Sequence, residues 1–515
     1  MNPNHIINKN ALLGIGTIPL LVGFSGCSSV PGKNAGNTDK PNIIYILGDD
    51  LGYGDVGCYG QTKIETPNID KLASEGMLFT QHYSGSAVSA PARCVLLTGV
   101  NSGKSQVRGN DAWPERGDVR SYLAMEKDST LEGSRPVAAG TPTIGSILQK
   151  AGYKTAAIGK WGLGSPGSDG MPNQLGIDYF YGYICQRQAH TYYPLHLWEN
   201  DHRVFLNNDT VFPGTPLQEG ADPYDPASYA KYTGIDYSPE LMFRKITKFV
   251  SDNKHGPFFL YWAPTIPHLS LQAPQRWVDH YVKKFGDERP YLDEHYAPCR
   301  YPRATYAAQI TYLDEQVGIL ISQLKDLGIY ENTLIIFSSD NGPTGQGVEF
   351  FQSAGPFNAK FVKGSLNEGG IREPMIASWP GKIKPGSKSD LVSGFQDILP
   401  TLAEIAGAET PENISGMSLL PTLMGEKQEP HEYLFWEFRE GGGQMAVRIG
   451  NFKALRKNMM KGNLKWELYD LEKDIQEKTD ISEAYLDIID RVNKIVSVEH
   501  TTSYNKLWQF PGLDK

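Results

Sequence analysis

Residues 84–99 read SGSAVSAPARCVLLTG, and the segment changes from small residues to an apolar helical pattern at Arg93 to Leu97. The N-terminus of such a helix directs backbone N–H groups at an anion, so the start of the helix is a candidate binding site. A hydroxyl on the short loop before it is a candidate nucleophile. The segment therefore predicts chemistry on an anionic substrate, close to a helix N-terminus.

Helix and strand patterns alternate on both sides of this segment. Thr66-Pro67 and Thr141-Pro142 each combine an N-cap residue with a proline in the first turn, and apolar residues at helical spacing follow. Residues 306–327 form a longer amphipathic pattern. Five short apolar runs predict buried strands: residues 42–47, 153–158, 258–262, 333–337 and 375–379. The alternation predicts an α/β fold with a large mixed or parallel sheet flanked by helices.

The pattern changes after about Gly425. Short strand patterns occupy residues 433–438, 445–449, 452–456 and 466–469, and residues 482–498 have a helical pattern. These segments predict a smaller α+β subdomain with an antiparallel sheet. We therefore place the main, catalytic domain at residues 41–425 and the C-terminal subdomain at residues 426–515.

The first residues of the chain predict export. Residues 1–26 contain an apolar run too short for a transmembrane helix, and small residues precede Cys27. The pattern resembles a bacterial lipoprotein signal peptide in which Cys27 becomes lipidated, and a plain signal peptide with an incidental cysteine is the alternative. Residues 27–40 are small and polar, as expected of a tether. We expect a lipid-anchored protein of the cell envelope, in the periplasm or on the outer-membrane surface, that meets the membrane only through its anchor.

Composition excludes some partners. The chain has 515 residues and a net charge of −9, which argues against general nucleic-acid binding because phosphates require basic surface. The cysteines beyond Cys27 are Cys58, Cys94, Cys185 and Cys299, and they show neither CxxC nor zinc-site spacing. They are compatible with disulfides of an exported protein or with free buried thiols.

Polar residues follow four of the predicted strands. The residues are Asp49 and Asp50, Lys160, His268, and Asp340 with Asn341. Ligands of open α/β sheets bind at the carboxyl ends of strands, so we expect these side chains to meet. The carboxylate and amide oxygens suit Ca²⁺ or Mg²⁺ rather than zinc. Lysine and histidine beside a cation site favour an anionic substrate, either a phosphate or a sulfate ester.

Several motifs in sequence order resemble one family. Ser89-Ala90-Pro91-Ala92-Arg93 with the trailing Thr98-Gly99 resembles the signature of the formylglycine-dependent (type I) sulfatases, in its serine form. The other matching motifs are residues 41–52, Gly159-Lys160-Trp161, Pro267-His268, residues 339–342, Lys363-Gly364, residues 368–372 and residues 467–471. The chain is similar to bacterial lipoprotein members of the arylsulfatase type. The resemblance implies an alkaline-phosphatase-like sulfatase fold over nearly all of residues 41–500.

The resemblance also implies roles for individual residues. Ser89 would be converted to formylglycine (3-oxoalanine) by an oxygen-independent maturation enzyme. One hydroxyl of the hydrated aldehyde would attack sulfur, and the other would lose its proton to release sulfate. Lys160 and Lys363 would bind the sulfate, His268 would assist the leaving oxygen, and Arg93 would fix the formylglycine loop. Calcium would be held by Asp49, Asp50, residue 89, Asp340 and Asn341.

The chain departs from the family pattern at one position. The family usually reads Gly-Lys-Trp-His-Leu-Gly, whereas this chain has Gly162 in place of the histidine that is thought to deprotonate the diol. His190 and His196 are candidates for that role or for sugar contact. The residues predicted to contact a sugar are Gln186, Arg187, His190, His196, Arg300, Glu437 and Gln444.

We therefore expect an enzyme that removes sulfate from carbohydrates such as mucin glycans, glycosaminoglycans or galactans. The alternatives are a phosphodiesterase or phosphonate hydrolase of the same superfamily, and a catalytically silent glycan-binding lipoprotein. The scarcity of histidine beside the acidic residues argues against the first alternative. The retention of Ser89, Lys160, His268 and Lys363 argues against the second.

Overall fold

The computed structural model describes residues 40–292, 295–345 and 347–514. The predicted signal peptide, Cys27 and all but the last residue of the tether lie outside the described residues. None of the helices in the described part of the chain is long and apolar enough to cross a membrane. Cys58, Cys94, Cys185 and Cys299 are free, and all but Cys58 are buried, which agrees with the second of the two alternatives left open for them.

A large mixed sheet forms the centre of the fold. Its strands are β1 (Asn42–Gly48), β2 (Met77–Tyr83), β3 (Lys154–Lys160), β4 (Tyr179–Tyr183), β5 (His196–Glu199), β6 (His202–Phe205), β7 (Phe258–Ala263), β8 (Thr333–Ser339), β9 (Arg372–Ser378), β10 (Ser387–Ser389) and β11 (Ser393–Gly394). They are ordered β10-β2-β9-β8-β1-β7-β3-β4-β5-β6, and β11 also pairs with β2. The sheet confirms the predicted α/β class.

The middle of the sheet is parallel and buried on both faces. β1 pairs in parallel with β7 and β8, and β3 pairs in parallel with β7. Along β1, Ile43 and Tyr45 pack into one hydrophobic core while Ile44 and Ile46 pack into the core on the opposite face. Successive side chains of a strand point to opposite faces, so a strand covered on both sides requires a continuous apolar run.

Helices cover both faces of this sheet. They are α1 (Pro67–Ser74), α2 (Ser89–Thr98), α3 (Tyr122–Lys127), α4 (Ile144–Lys150), α5 (Ser238–Asn253), α6 (Gln275–Phe285), α7 (Pro302–Asp326), α8 (Val348–Phe351), α9 (Glu368–Ile371), α10 (Ile398–Ala406) and α11 (Leu420–Leu423). α7 buries Leu313, Val317 and Leu320, as its amphipathic pattern predicts. α2 begins at Ser89, earlier than the apolar pattern at Arg93 indicates, because Pro91 and small residues form its first turn.

A four-stranded antiparallel sheet follows in the C-terminal part of the chain. Its strands are β12 (Leu434–Phe438), β13 (Gln444–Ile449), β14 (Phe452–Arg456) and β15 (Glu467–Asp470), and α12 (Leu486–Glu499) follows them. The strands pair in sequence order. One side of this sheet packs with α12 around Val447, Leu468 and Val492. The predicted antiparallel sheet is confirmed, whereas the domain boundary at residue 425 stays a prediction.

A buried lysine links this small sheet to α9, the short helix that precedes β9 of the large sheet. Lys453 on β14 places its Nζ 2.9 Å from Oε1 of Glu368 and 3.0 Å from Oε1 of Glu477. All three side chains are almost inaccessible to solvent. Tyr83 donates a further hydrogen bond of 2.7 Å to Glu368. Charges buried at this depth require such partners, because an unpaired one would cost several kcal/mol.

We expect the pair formed by His431 and Asp397 to make the stability of the fold depend on pH. Nε2 of His431 lies 2.8 Å from Oδ1 of the buried Asp397. Burial lowers the pKa of His431, but the Asp397 carboxylate outweighs burial and raises it above 6.5. The stabilisation is therefore complete below pH 6.5 and is lost as pH rises through the higher pKa of the folded state. His431→Gln should cost about 1–2 kcal/mol near pH 6, and less near pH 9.

Thermal melts of His431→Gln across this pH range test the expectation. The control is His255→Gln, at an exposed turn residue. A cost for His431→Gln that is the same at both pH values would contradict the assignment.

Candidate active site

The predicted reactive residues meet at the carboxyl ends of four neighbouring strands. Asp49 and Asp50 follow β1, Lys160 ends β3, His268 lies five residues beyond β7, and Asp340 with Asn341 follows β8. The hydrogen bonds between these residues join segments that are far apart in the sequence. The sheet topology therefore assembles the site, as the strand-end pattern predicts.

Ser89 lies at the first residue of α2 and contacts two of these groups. Its Oγ is 3.1 Å from Oδ1 of Asp49 and 3.5 Å from Nζ of Lys160. Lys160 in turn donates a 2.6 Å hydrogen bond to Oδ2 of Asp49. Ser89 is 1% exposed and Lys160 is 2% exposed. The serine hydroxyl is therefore held beside a carboxylate and an ammonium group in a nearly closed space.

Arg93 connects α2 to two strands of the sheet. Its Nη2 donates a 2.7 Å hydrogen bond to Oδ2 of Asp340, and its Nη1 donates a 2.9 Å hydrogen bond to the carbonyl oxygen of Lys160. The guanidinium group is fully buried. A buried arginine bound in this way fixes the position of the helix that bears Ser89, so the structure favours a positioning role.

Lys363 and Asn341 lie around Asp50. Nζ of Lys363 is 2.6 Å from Oδ1 of Asp50, and Nδ2 of Asn341 donates a 2.8 Å hydrogen bond to the same oxygen. Asp50 has a φ of 64°, in the left-handed region that costs energy for most residues. Strain of this kind is typical of functional sites.

The charges of the site depend on each other. Burial would raise the pKa of the Asp49 and Asp50 carboxyl groups, but the nearby lysines and His268 outweigh burial and lower both pKa values. Burial lowers the pKa of Lys160 despite the attraction of Asp49. For Lys363 the attraction of Asp50, Asp49 and Asp340 outweighs burial and raises the pKa. Both carboxylates are thus anionic at neutral pH.

His268 lies beside the carboxylates and packs against a second histidine. Its Nε2 is 3.7 Å from Oδ2 of Asp50, and its Nδ1 hydrogen-bonds the carbonyl oxygen of Leu269. A carbonyl only accepts, so Nδ1 bears a proton and Nε2 faces the site. The ring stacks on His190 with 5.3 Å between centroids. Burial and then Lys160 lower the pKa of His268.

The oxygen-rich part of the site fits a hard cation. Asp49, Asp50 and His268 present ligand atoms within 4.8 Å of one another. Oδ1 of the buried Asn341 has no hydrogen-bond partner among the described residues. An orphaned buried amide oxygen beside carboxylates is the donor that a calcium ion uses, and buried acceptors without partners are rare otherwise.

Gln186 occupies the space beside Gly162. Gly162 has a φ of +84°, and a Cβ added to it would lie 1.9 Å from Nε2 of Gln186. That nitrogen is buried and has no partner among the described residues. The Gln186 amide, from the loop after β4, therefore occupies the space that a side chain at position 162 would fill.

A cavity of about 500 Å³ lies beside Gln186. Gln186, Arg187 and His190 line it, as do Asn110 and Arg439. Asn110 accepts a 2.9 Å hydrogen bond from the backbone N–H of Ala90, next to Ser89. The cavity therefore borders the reactive centre. Sequence reasoning named the first three of these residues but missed Asn110 and Arg439, which come from distant segments without a distinguishing pattern.

The structure places the other predicted sugar contacts elsewhere. His196 hydrogen-bonds the buried Glu132, and Arg300 is bound by the carbonyl oxygens of Tyr224 and Glu288. Glu437 pairs with Arg108 and His500, and Gln444 bonds Gly364 and Leu366. Each of these four side chains is already engaged within the protein, and none of them lines the cavity.

The fold and the site together define a hydrolase of anionic esters with an alkaline-phosphatase-like architecture. Residues 41–408 match the family model described as Sulfatase, and residues 357–499 match the model described as N-sulphoglucosamine sulphohydrolase, C-terminal. The chain belongs to the sulfatase family, and it is a sulfuric ester hydrolase.

Individual relatives agree with this assignment. The chain is 32% identical to human arylsulfatase A, over 80% of this chain and 74% of the relative. It is 29% identical to the N-acetylgalactosamine-6-O-sulfatase of Bacteroides thetaiotaomicron, over 93% and 98% of the two chains. The crystal structure of Ps i-CgsB in complex with k-i-k-neocarrahexaose superposes with a TM-score of 0.70 and 28% identity, over 92% of this chain and 95% of that one.

Proposed function

We propose that the protein hydrolyses sulfate esters of carbohydrates with a formylglycine formed from Ser89. The observation that supports the proposal most directly is the placement of Ser89 Oγ, 3.1 Å from Asp49 and 3.5 Å from the Lys160 ammonium group. A carbohydrate substrate agrees with the names of two relatives, an N-acetylgalactosamine-6-O-sulfatase and a protein solved with a neocarrahexaose. We also propose export and anchoring through Cys27, with an oxygen-independent enzyme as the maturation partner.

Each residue of the site has its own role in the proposed reaction. Formylglycine at position 89 supplies the hydroxyl nucleophile. Lys160 and Lys363 stand on the two sides of the acidic pair and bind the sulfate oxygens as point charges. Arg93 fixes the helix that bears residue 89, through Asp340 and the Lys160 carbonyl. The nearly complete burial of residue 89, Lys160 and Arg93 strengthens their electrostatic interactions because water is excluded.

His268 assists the departure of the sugar oxygen in this proposal. With Nδ1 donating to the Leu269 carbonyl, only Nε2 is free to face a ligand. His268 must therefore bear a second proton at Nε2 before it can donate one to a leaving oxygen. Packing against His190 fixes the plane of the ring.

We propose that the cation is calcium, held by Asp49, Asp50, Asp340, Asn341 and residue 89. When bound, it would neutralise charge on the sulfate oxygens. Calcium at about 100 times its Kd should stabilise the fold by about 2.7 kcal/mol, and a chelator should reverse the effect. Asn341→Leu should remove most of this shift, whereas Asp326→Asn, at an exposed residue of α7, should keep it. Melting curves with and without calcium measure both, and an equal shift in the two variants would contradict the site.

We also propose that the Gln186 amide replaces the usual histidine as a hydrogen-bonding group toward bound ligand. Gly162→Ala should displace the amide and lower kcat/KM on the order of 10- to 100-fold. Gln186→Ala should have a similar effect, and the double variant should be no worse than the more severe single one. The control is Gly407→Ala, which has the same positive-φ strain, of about 1 kcal/mol, with open space around it. Additive losses in the double variant would refute the shared mechanism.

The experiment that tests the proposed function combines mass spectrometry with turnover. Protein produced in an anaerobic host with the maturation enzyme should give a Ser89 peptide with the mass of the aldehyde. That protein should hydrolyse N-acetylgalactosamine 6-sulfate and aryl sulfate faster than the matched phosphate esters. An unmodified serine throughout, or a preference for phosphate, would overturn the proposal.

A further inference from the structure

Three arginines line the cavity beside the reactive centre. They are Arg120, Arg187 and Arg439, which come from three separate segments of the chain. Arg187 follows β4, and Arg439 follows β12, so elements of both sheets contribute to one cavity. The sulfate-binding groups, Lys160 and Lys363, are not part of this lining.

Two of these arginines lack the partners that other arginines of the protein have. Among the described residues, neither Arg187 nor Arg439 hydrogen-bonds or forms an ion pair through its guanidinium group, and the Nε of each is buried without an acceptor. By contrast, Arg108 near the cavity binds Glu437 and the carbonyl oxygen of Thr501. Arg187 is held in place by the ring of Tyr122, 5.0 Å from its centroid. A buried donor without an acceptor is costly, which favours a ligand that supplies acceptors.

The acidic residues of the cavity compensate only part of this positive charge. Asp111 is paired with Arg135 at 2.5 Å. Glu440 accepts a 2.7 Å hydrogen bond from the backbone N–H of Asn110, and burial raises the pKa of its carboxyl group. The cavity thus offers guanidinium groups whose planar forks match carboxylate and sulfate oxygens.

We propose that the cavity binds a second anionic group of the substrate, either a carboxylate or a second sulfate ester. Arg187 and Arg439 recognise this group while Lys160 and Lys363 hold the sulfate that is removed. The substrate is then an acidic glycan with two anions at neighbouring positions, rather than a singly sulfated neutral sugar. This inference rests on the proposed function and specifies its substrate class.

Three oligosaccharides that share the same scissile 6-sulfate test the inference. Each contains N-acetylgalactosamine 6-sulfate joined to a hexuronic acid, to the carboxyl-reduced neutral sugar, or to a neutral sugar with its own sulfate. The converted wild-type enzyme should show a kcat/KM at least about tenfold higher for one or both acidic substrates than for the neutral one. The preferred acidic substrate identifies the carboxylate or the sulfate as the natural group.

The arginine variants separate recognition from folding. Arg187→Ala and Arg439→Ala should bring the acidic-to-neutral ratio of kcat/KM close to one, mainly through KM. Arg187→Lys should keep part of the ratio, and Arg244→Ala, at an exposed residue of α5, should keep all of it. Equal turnover of all three substrates by the wild type, or variants that slow every substrate by the same factor, would overturn the inference alone. Turnover of none of them, nor of aryl sulfate, would overturn the proposed function and the inference with it.

Discussion

Replacing Ser89 with alanine should reduce turnover on the order of 10⁴-fold or more, because it removes the group from which the proposed nucleophile is made. The side chain is small and sits at the first turn of α2, so the fold should persist. Binding of the sulfated sugar should also persist, because Lys160 and Lys363 remain. Turnover assays and calorimetry with the substrate measure the two properties separately.

The matched control is Ser86→Ala in the same loop. Its hydroxyl is buried and has no partner among the described residues, so its removal leaves no broken hydrogen bond. We expect turnover within a few-fold of the wild type. Comparable losses in the two variants would show that damage to the loop, rather than loss of the nucleophile, explains the effect of Ser89→Ala.

Lys453→Met should destabilise the protein by about 3–5 kcal/mol, because it leaves two buried carboxylates without their shared cation. Burial raises the pKa of Glu368, but Lys453, Arg372 and Arg448 outweigh it and lower the pKa to about 2. The stabilisation by Glu368 is therefore present above pH 4.5 and is lost as pH falls toward 2. Lys453→Met should accordingly lose less stability on acidification than the wild type.

Chemical denaturation at pH 7 and at pH 3 measures both effects. The control is Lys457→Met, which removes a partly exposed pair with Glu467 at 2.7 Å. Such pairs contribute about 0–1 kcal/mol. If Lys453→Met cost no more than Lys457→Met, the buried triad would not be a stabilising element of the interface between the small sheet and α9.

The sequence predicts the centre of the fold better than its edges. The centres of the parallel strands β1, β7 and β8 are continuous apolar runs because helices cover both of their faces, and such runs are visible without any structure. The sequence does not predict β5 and β6. Each has four residues of mixed polarity, and their pairing depends on the neighbouring strands rather than on their own pattern.

The residues of the site also differ in how well the sequence predicts them. Residues at strand ends, such as Asp49 and Asp340, can be predicted because the topology of parallel sheets fixes where they meet. Arg439 cannot be, because its place in the cavity depends on how the small sheet packs against the large one. The position of the Gln186 amide beside Gly162 cannot be predicted either, because no local sequence pattern specifies the path of the loop that carries Gln186.

The burial of Ser89 constrains when its proposed conversion to formylglycine can take place. In the folded protein its side chain is 1% exposed, beneath Asp49 and Lys160 and at the start of a helix. An enzyme that oxidises this hydroxyl cannot reach it once the sheet and α2 have assembled. If Ser89 is converted as proposed, oxidation therefore precedes folding, on a nascent or extended polypeptide, and a copy that folds before oxidation stays inactive. The active fraction of a preparation then depends on the relative rates of oxidation and folding in the cell, and treatment of the folded protein does not raise it.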